Sequence, residues 1–204
     1  MQSNWAAENL QTIRTLMERA VVYRRTLAPV TLVTGLLGCA AAAGGWRAGV
    51  QAPLPFVAYW LAMGAVVLVV AGLIMRRQAF QEAEPFWSLP TRRVGQALLP
   101  GLVAGLGLSV LAVVAPSDRL QVWLPCAWLL FYGCALHAAG FFMPRGVKWL
   151  GWLFIVAGIT GLAVQQWLRP VPGIGHLLMG VCFGGGHVFY GIYLYGTESR
   201  RGNT

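Results

Sequence analysis

Six apolar stretches, near residues 27–45, 54–75, 97–115, 122–143, 149–167 and 174–195, occupy most of the 204-residue chain. A helix of about 20 residues crosses the roughly 30 Å hydrocarbon core of a bilayer, and each stretch is long enough to do so. No Asp, Glu, Lys or Arg falls within any of them. The fold class predicted is therefore an all-α integral membrane protein: a six-helix transmembrane bundle over residues 26–196, preceded by a cytoplasmic segment at 1–25 and followed by a tail at 197–204. Pro29, Pro53, Pro100 and Pro125 fall at or near expected helix starts, where a missing N–H is tolerated.

Only 10% of the residues are charged, against about 25% in soluble domains. The formal net charge of +9 would suggest a nucleic-acid partner in a soluble protein. Here the charges lie between the spans, so the expected partner is the lipid bilayer, with no direct nucleic acid. With the N-terminus inside, the outer loops hold only Arg47, Arg119 and Arg169 of the 15 Lys and Arg residues, which leaves 12 on the cytoplasmic side. That is the positive-inside pattern, with both termini cytoplasmic. Trp46, Trp123 and Trp167 then mark the outer interface, and Trp149 and Trp152 the inner one.

Residues 4–22 carry Leu10, Ile13, Met17, Ala20 and Val21 at helical spacing, with Glu8, Arg14, Glu18 and Arg19 mostly elsewhere around the helix. They predict an amphipathic interfacial helix that either lies on the inner membrane face, docks on its own bundle or meets a cytoplasmic partner. No apolar stretch ending in a small-residue cleavage site is found there, so the expectation is that this segment is retained. In the 76–95 loop, Arg76, Arg77, Arg92 and Arg93 flank Phe80, Phe86 and Trp87, a composition suited to anionic lipid or a partner. Positive charge that merely orients the chain explains the same arginines.

LVTGL (32–36), LVAGL (102–106) and IVAGI (155–159) recur in the odd spans, and VAGLIM (70–75), AAGFFM (138–143) and FYGIYL (189–194) in the even ones. Aligning Gly35, Gly105 and Gly158, and Gly72, Gly140 and Gly191, gives three tandem helical hairpins.

Near the end of the chain, VCFGGGHVFYG (181–191) places three glycines before a histidine. At 100° per residue, His176, Gly180, Gly184, His187 and Gly191 fall within an arc of roughly 80°. Gly133, His137 and Gly140 share a face of span four with Cys126. Small residues four apart let helix backbones approach, so Gly180, Gly184, Gly191, Gly133 and Gly140 predict helix-packing faces. A histidine on such a face then needs only a neighbouring carbonyl, or Tyr132, Tyr190, Tyr193, Gln165 or Gln166, as its hydrogen-bond partner. The functional alternative makes His137, His187 and His176 cofactor-binding residues. An imidazole ligates haem iron or a chlorophyll, glycines clear room for the macrocycle, and aromatic side chains pack its edges.

Cys39, Cys126, Cys134 and Cys182 lie within apolar stretches, where free thiols are expected. Cys134 and His137 share a face, but Cys182 points away from His187, so no closed metal site is expected. No sequence motif of hydrolytic, zinc-dependent or nucleotide-binding chemistry occurs, so no catalytic residue is assigned.

ENLQTIRTLMERA (8–20) together with FGGGHVFYGIYLYG (183–196) resembles a group of small bacterial multi-pass membrane proteins with an ENLxxIRxxMERA-like N-terminus and a GGxHxxxG-like last helix. The resemblance implies a bacterial inner-membrane location and a place for His187 in a motif, with no activity to carry over. Such proteins look like companions of small winged-helix regulators.

Three functions follow as expectations. The first is a non-enzymatic accessory subunit or a small-molecule or lipid-binding sensor, partnered by other membrane subunits or by copies of itself. The second is a haem or chlorophyll protein of electron transfer or light harvesting. A small transporter is the least supported, because the spans lack charged coupling residues.

Overall fold

The computed structural model describes residues 27–82, 86–115, 117–167 and 173–199. The amphipathic helix expected over residues 1–25 lies outside them, as do residues 200–204 of the tail. Six helices long and apolar enough to cross a membrane are present among the described residues: α1 (Leu27–Arg47), α2 (Pro53–Gln81), α3 (Leu89–Val114), α4 (Asp118–Ala139), α5 (Gly146–Trp167) and a composite sixth span. That last span is α6 (Ile174–Leu178), a π-helical segment (Met179–Gly185) and α7 (Gly186–Ser199). The protein is thus an all-α, six-span membrane protein.

Local chemistry moves several boundaries from their expected places. α3 begins at Leu89 rather than near 97, because Pro90 fits the first turn and Ser88 ahead of it is extended. α4 starts where the Ser117 side chain accepts the Leu120 N–H at 3.2 Å. It ends at Ala139 rather than 143, and Gly140 leads into a turn closed before Pro144, with Phe141 and Phe142 exposed. α2 runs on to Gln81, a length of about 43 Å that exceeds the apolar core and carries Arg76 and Arg77 to its edge.

Two helix pairs meet at backbone distance along a run of several small residues. Between α4 and α5, a Cβ on Gly151 would lie 2.7 Å from the amide nitrogen of His137 and 2.8 Å from the Gly133 carbonyl, and one on Gly133 would lie 2.7 Å from the amide nitrogen of Ile155. Between α1 and the sixth span, a Cβ on Gly35 would lie 2.5 Å from the amide nitrogen of Val188 and 2.7 Å from the Gly184 carbonyl, and one on Gly184 would lie 2.8 Å from the amide nitrogen of Cys39. The two sets of contacts correspond residue for residue. Leu32, Gly35, Cys39, Ala42 and Gly45 of α1 have the spacing of Lys148, Gly151, Ile155, Gly158 and Gly161 of α5, and each meets the corresponding position of its partner helix.

This register corrects the alignment read from the repeated pentapeptides, because Gly35 corresponds to Gly151, one heptad before Gly158. On the partner helices, Leu130, Gly133, His137 and Gly140 correspond to Gly180, Gly184, Val188 and Gly191. The sixth span has one residue more between its first two positions, and that residue falls inside the π-helical segment.

The rest of the bundle is looser. In the hydrophobic stretch of α4, 50% of the residues are buried, against 11% in α2 and 17% in α3. α3 touches α4 closely at Gly101, where a Cβ would lie 2.6 Å from the Phe131 carbonyl, but α2 and α3 have little contact with each other.

Gly151→Val should force α4 and α5 apart and cost about 1–3 kcal/mol, as overpacking does. Gly64→Ala, where a Cβ meets nothing within 4 Å, should be neutral or raise stability by up to about 1 kcal/mol. Melting of the detergent-solubilised protein, followed by gel-filtration recovery, checks both.

Candidate functional site

The three histidines are the polar groups placed within the spans that carry the most chemical potential, and the structure puts them in three different settings. His176, 1% exposed, is held beside the α1–α2 loop. Its Nε2 lies 2.7 Å from the Val50 carbonyl oxygen, which can only accept, so Nε2 carries the proton. Its Nδ1 accepts the Trp60 indole N–H at 3.2 Å. Phe56 and Tyr59 enclose the ring, with centroids 4.9 and 5.9 Å away, and the Tyr59 hydroxyl donates to the Ala41 carbonyl at 2.6 Å. A side chain at Gly45 would collide with the imidazole. Phe56 then stacks on Trp128 at 6.0 Å, and the Trp128 indole donates to Ser109, whose hydroxyl donates to the Gly105 carbonyl. One chain of aromatic and polar contacts therefore ties α1, α2, α3, α4 and α6 together.

His187, 4% exposed, stands at the centre of a second cluster. Nδ1 donates to the Phe183 carbonyl at 2.8 Å, one turn back on its own helix, which leaves Nε2 to accept the Tyr132 hydroxyl at 3.0 Å. Phe183, Phe154 and Tyr132 surround the ring at 4.5, 5.2 and 5.6 Å. The helical wheel puts His187 on the glycine face, but the π turn interrupts the 100° step that the wheel assumes. Val188 takes the seam position against Gly35, and His187 turns inward to α4 and α5.

His137 is built differently. Its backbone lies in the α4–α5 seam, while its ring packs edge-on against Phe141 and Trp152, both exposed. Its Nδ1 is buried without a hydrogen-bond partner. The rings of His137, His176 and His187 share no hydrogen-bond partner, and the structure does not bring them together around a common space. Iron ligation by His176 or His187 would require one of the hydrogen bonds just described to be given up.

Gly180, Gly184 and Gly191 lie against Ala42, Cys39 and Leu32 of α1, and Gly133 and Gly140 against Ile155 and Lys148 of α5. At the end of the bundle formed by the α2 C-terminus, the α3 N-terminus and the α4–α5 turn, Arg76, Arg77, Arg92 and Arg93 are exposed, as is Trp87 beside Phe86. At the same end the Lys148 ammonium lies 3.6 Å from the Phe141 ring centre. The cysteines are free thiols, and Cys126 accepts a hydrogen bond from Gln165 at 3.3 Å.

Trp60, Phe56 and Phe154, which build the two histidine surroundings, carry no distinguishing pattern in the sequence. The π turn does leave a trace, since Gly133 follows Leu130 by three residues and Gly184 follows Gly180 by four.

Fold and site together define a multi-pass α-helical membrane protein whose buried polar groups are mostly satisfied internally. No known protein family, curated protein or solved structure matches the chain.

The two buried histidines should be opposite neutral tautomers, Nε2–H for His176 and Nδ1–H for His187. Nitrogen-15 NMR of the labelled protein in nanodiscs reads this directly. Tyr132→Phe should cost about 1–3 kcal/mol by leaving His187 Nε2 unsatisfied. The Tyr132→Phe/His187→Phe double variant, compared in the same melting assay, should cost less than the sum of the two single changes.

Proposed function

We propose that the chain is a non-enzymatic lipid- or small-molecule-binding sensor of the bacterial inner membrane, able to serve as an accessory subunit of a larger complex. The observation that carries this reading is the gap in helix packing between α2 and α3. Midway along these helices Leu68, Val69, Leu102, Val103 and Leu106 are exposed, in the two least buried of the six spans. An apolar ligand entering from the lipid, or the helix of another membrane subunit, has access to these faces. The absence of a recognised catalytic motif fits a binding role.

Both termini lie in the cytoplasm in this reading, because the positive-inside rule weighs 12 basic residues against three. The amphipathic segment over residues 1–25 and the arginines at 76, 77, 92 and 93 then face the cytoplasm, where a partner or anionic lipid meets them. Phosphatase and fluorescent-protein fusions at the C-terminus should report it inside, and an active periplasmic phosphatase fusion there would reverse the topology.

Mass spectrometry of protein purified in mild detergent should find a bound lipid, small molecule or subunit in stoichiometric amount. Its absence from native membranes would count against the reading. Tetrapyrrole binding is the second reading, supported by the unpartnered Nδ1 of His137 between Phe141 and Trp152. It requires a Soret-type absorption band that His137→Ala abolishes, and colourless protein from a pigment-competent host would end it.

A further inference from the structure

We infer that α2 and α3 are the third copy of the glycine seam seen twice in this bundle, and that α3 closes onto α2 in the membrane when no ligand or second helix lies in the gap on which the proposed function rests. The argument rests on register. In both made seams the partners are an even helix and an odd one running antiparallel: α4 with α5, and the sixth span with α1. The remaining pair in that series is α2 with α3. Gly151 and Gly161 on α5 have the spacing of Gly35 and Gly45 on α1, and Gly95 and Gly105 repeat it on α3. Gly133 and Gly140 on α4 have the spacing of Gly184 and Gly191, and Ala65 and Gly72 repeat it on α2.

Size complementarity, row by row, brings in the residues opposite those positions. One row pairs Gly133 with Ile155 and Gly184 with Cys39, and its third copy would pair Ala65 with Leu99. The next pairs Leu130 with Gly158 and Gly180 with Ala42, and would pair Ala62 with Leu102. A third sets His137 on Gly151 and Val188 on Gly35, and would set Val69 on Gly95. The last sets Lys148 on Gly140 and Leu32 on Gly191, and would set Arg92 on Gly72. In every row the two partners include at least one small residue, and in three of the four the small residue stays on the same helix of the pair in all copies. Two helices that meet at backbone distance need this relation, whereas a small-residue run facing lipid does not.

In the structure these positions are vacant of partners except Gly105, which is buried beside Trp128 of α4. Ala58, Ala62, Ala65 and Val69 are exposed, Leu99 is 58% exposed, and a Cβ on Gly72 or Gly95 meets nothing within 4 Å. The stripe on α2 faces away from Phe56, Trp60 and Met63, which hold α2 to the bundle, just as the α5-facing side of α4 lies opposite its α3-facing side. Closure therefore leaves the contacts of Phe56 and Trp60 with His176 on the other side of α2, and it turns α3 about its edge at Gly105, which packs on Trp128. Lipid chains are as apolar as these side chains, so the gain comes from close packing of the two backbones rather than from exclusion of water.

Disulfide trapping in native membranes tests the closure. In full-length protein with its four native cysteines replaced by alanine, Ala62→Cys with Leu102→Cys places thiols in the row occupied by Ala42 and Gly180 of a made seam. Ala42→Cys with Gly180→Cys is the positive control and also reports that the background folds. Closure predicts oxidation of the Ala62/Leu102 pair within one chain, to an extent similar to the control, read as a mobility shift of the monomer. A disulfide-linked dimer would overturn the inference and give the seam to a second copy. Failure to cross-link beside an oxidised control would overturn it in favour of lipid. Blocking the seam with Ala65→Trp should abolish the monomer shift, and a shift that survives this substitution would also count against closure.

Discussion

This bundle is held above all by two glycine seams where helix backbones touch. Dissolved in lipid, a helix gains nothing by hiding apolar side chains, so association must come from dispersion at short range and from interhelical hydrogen bonds. Short range requires that one partner have no side chain in the way. The α4–α5 seam meets that requirement with Gly133, Gly151 and Gly158, and the α1 seam meets it with Gly35, Gly184 and Gly191. Helix propensity is sacrificed at each glycine, by about 1 kcal/mol in water, and contact along the whole seam offsets it. α2 and α3, whose glycines at 64, 72, 95 and 107 approach nothing, show what the same residues do without a partner.

With the backbones so close, polar groups have little freedom to find water and must be satisfied by each other. His176 and His187 each use both ring nitrogens, one as donor to a carbonyl and one as acceptor from an aromatic side chain. The acceptor is matched by a donor of intermediate polarity, an indole in one cluster and a phenol in the other. A lysine or carboxylate would have imposed a charge on the same space, and the apolar stretches that supply both clusters contain none. The histidines thus supply direction to a packing that dispersion alone leaves underdetermined, since His176 is bonded to Val50 and Trp60 outside its helix and His187 to Tyr132 of α4. His137, with an unpartnered nitrogen and an exposed aromatic surround, lacks that role and keeps its chemical capacity.

The span count was legible because hydrocarbon thickness translates directly into sequence length. Glycine faces were legible as well, since a four-residue spacing survives in any straight helix. Boundaries were less so where capping decided them, as with the earlier start at Leu89 and the stop at Ala139 before Gly140 and Pro144. The partner of His187 was within reach, because Tyr132 stands among the few polar residues at that depth, but the direction of the ring was not. A wheel drawn at constant pitch cannot represent a π turn, and it therefore assigned His187 to the face that Val188 occupies. The surroundings of His176 were hidden for another reason. Trp60 and Phe56 come from a different span, and nothing in an apolar stretch announces which residue will cross the bundle.

The π turn resolves a conflict that the repeat itself creates. If the sixth span kept the spacing of α4, the position opposite Gly35 would fall on His187, and the imidazole would lie along the α1 seam as His137 lies along α5. A single additional residue lets Gly180 and Gly191 both keep their places against α1 while the chain between them winds wider. Glycine at 184, 185 and 186 makes that winding sterically open, and Gly186 also admits the Phe154 ring, which a Cβ would approach at 2.8 Å. His187 is thereby moved from a seam to the core without disturbing the seam, and the three glycines before it serve two separate contacts. Gly184 meets α1 and Gly186 meets α5, and both follow the one extra residue.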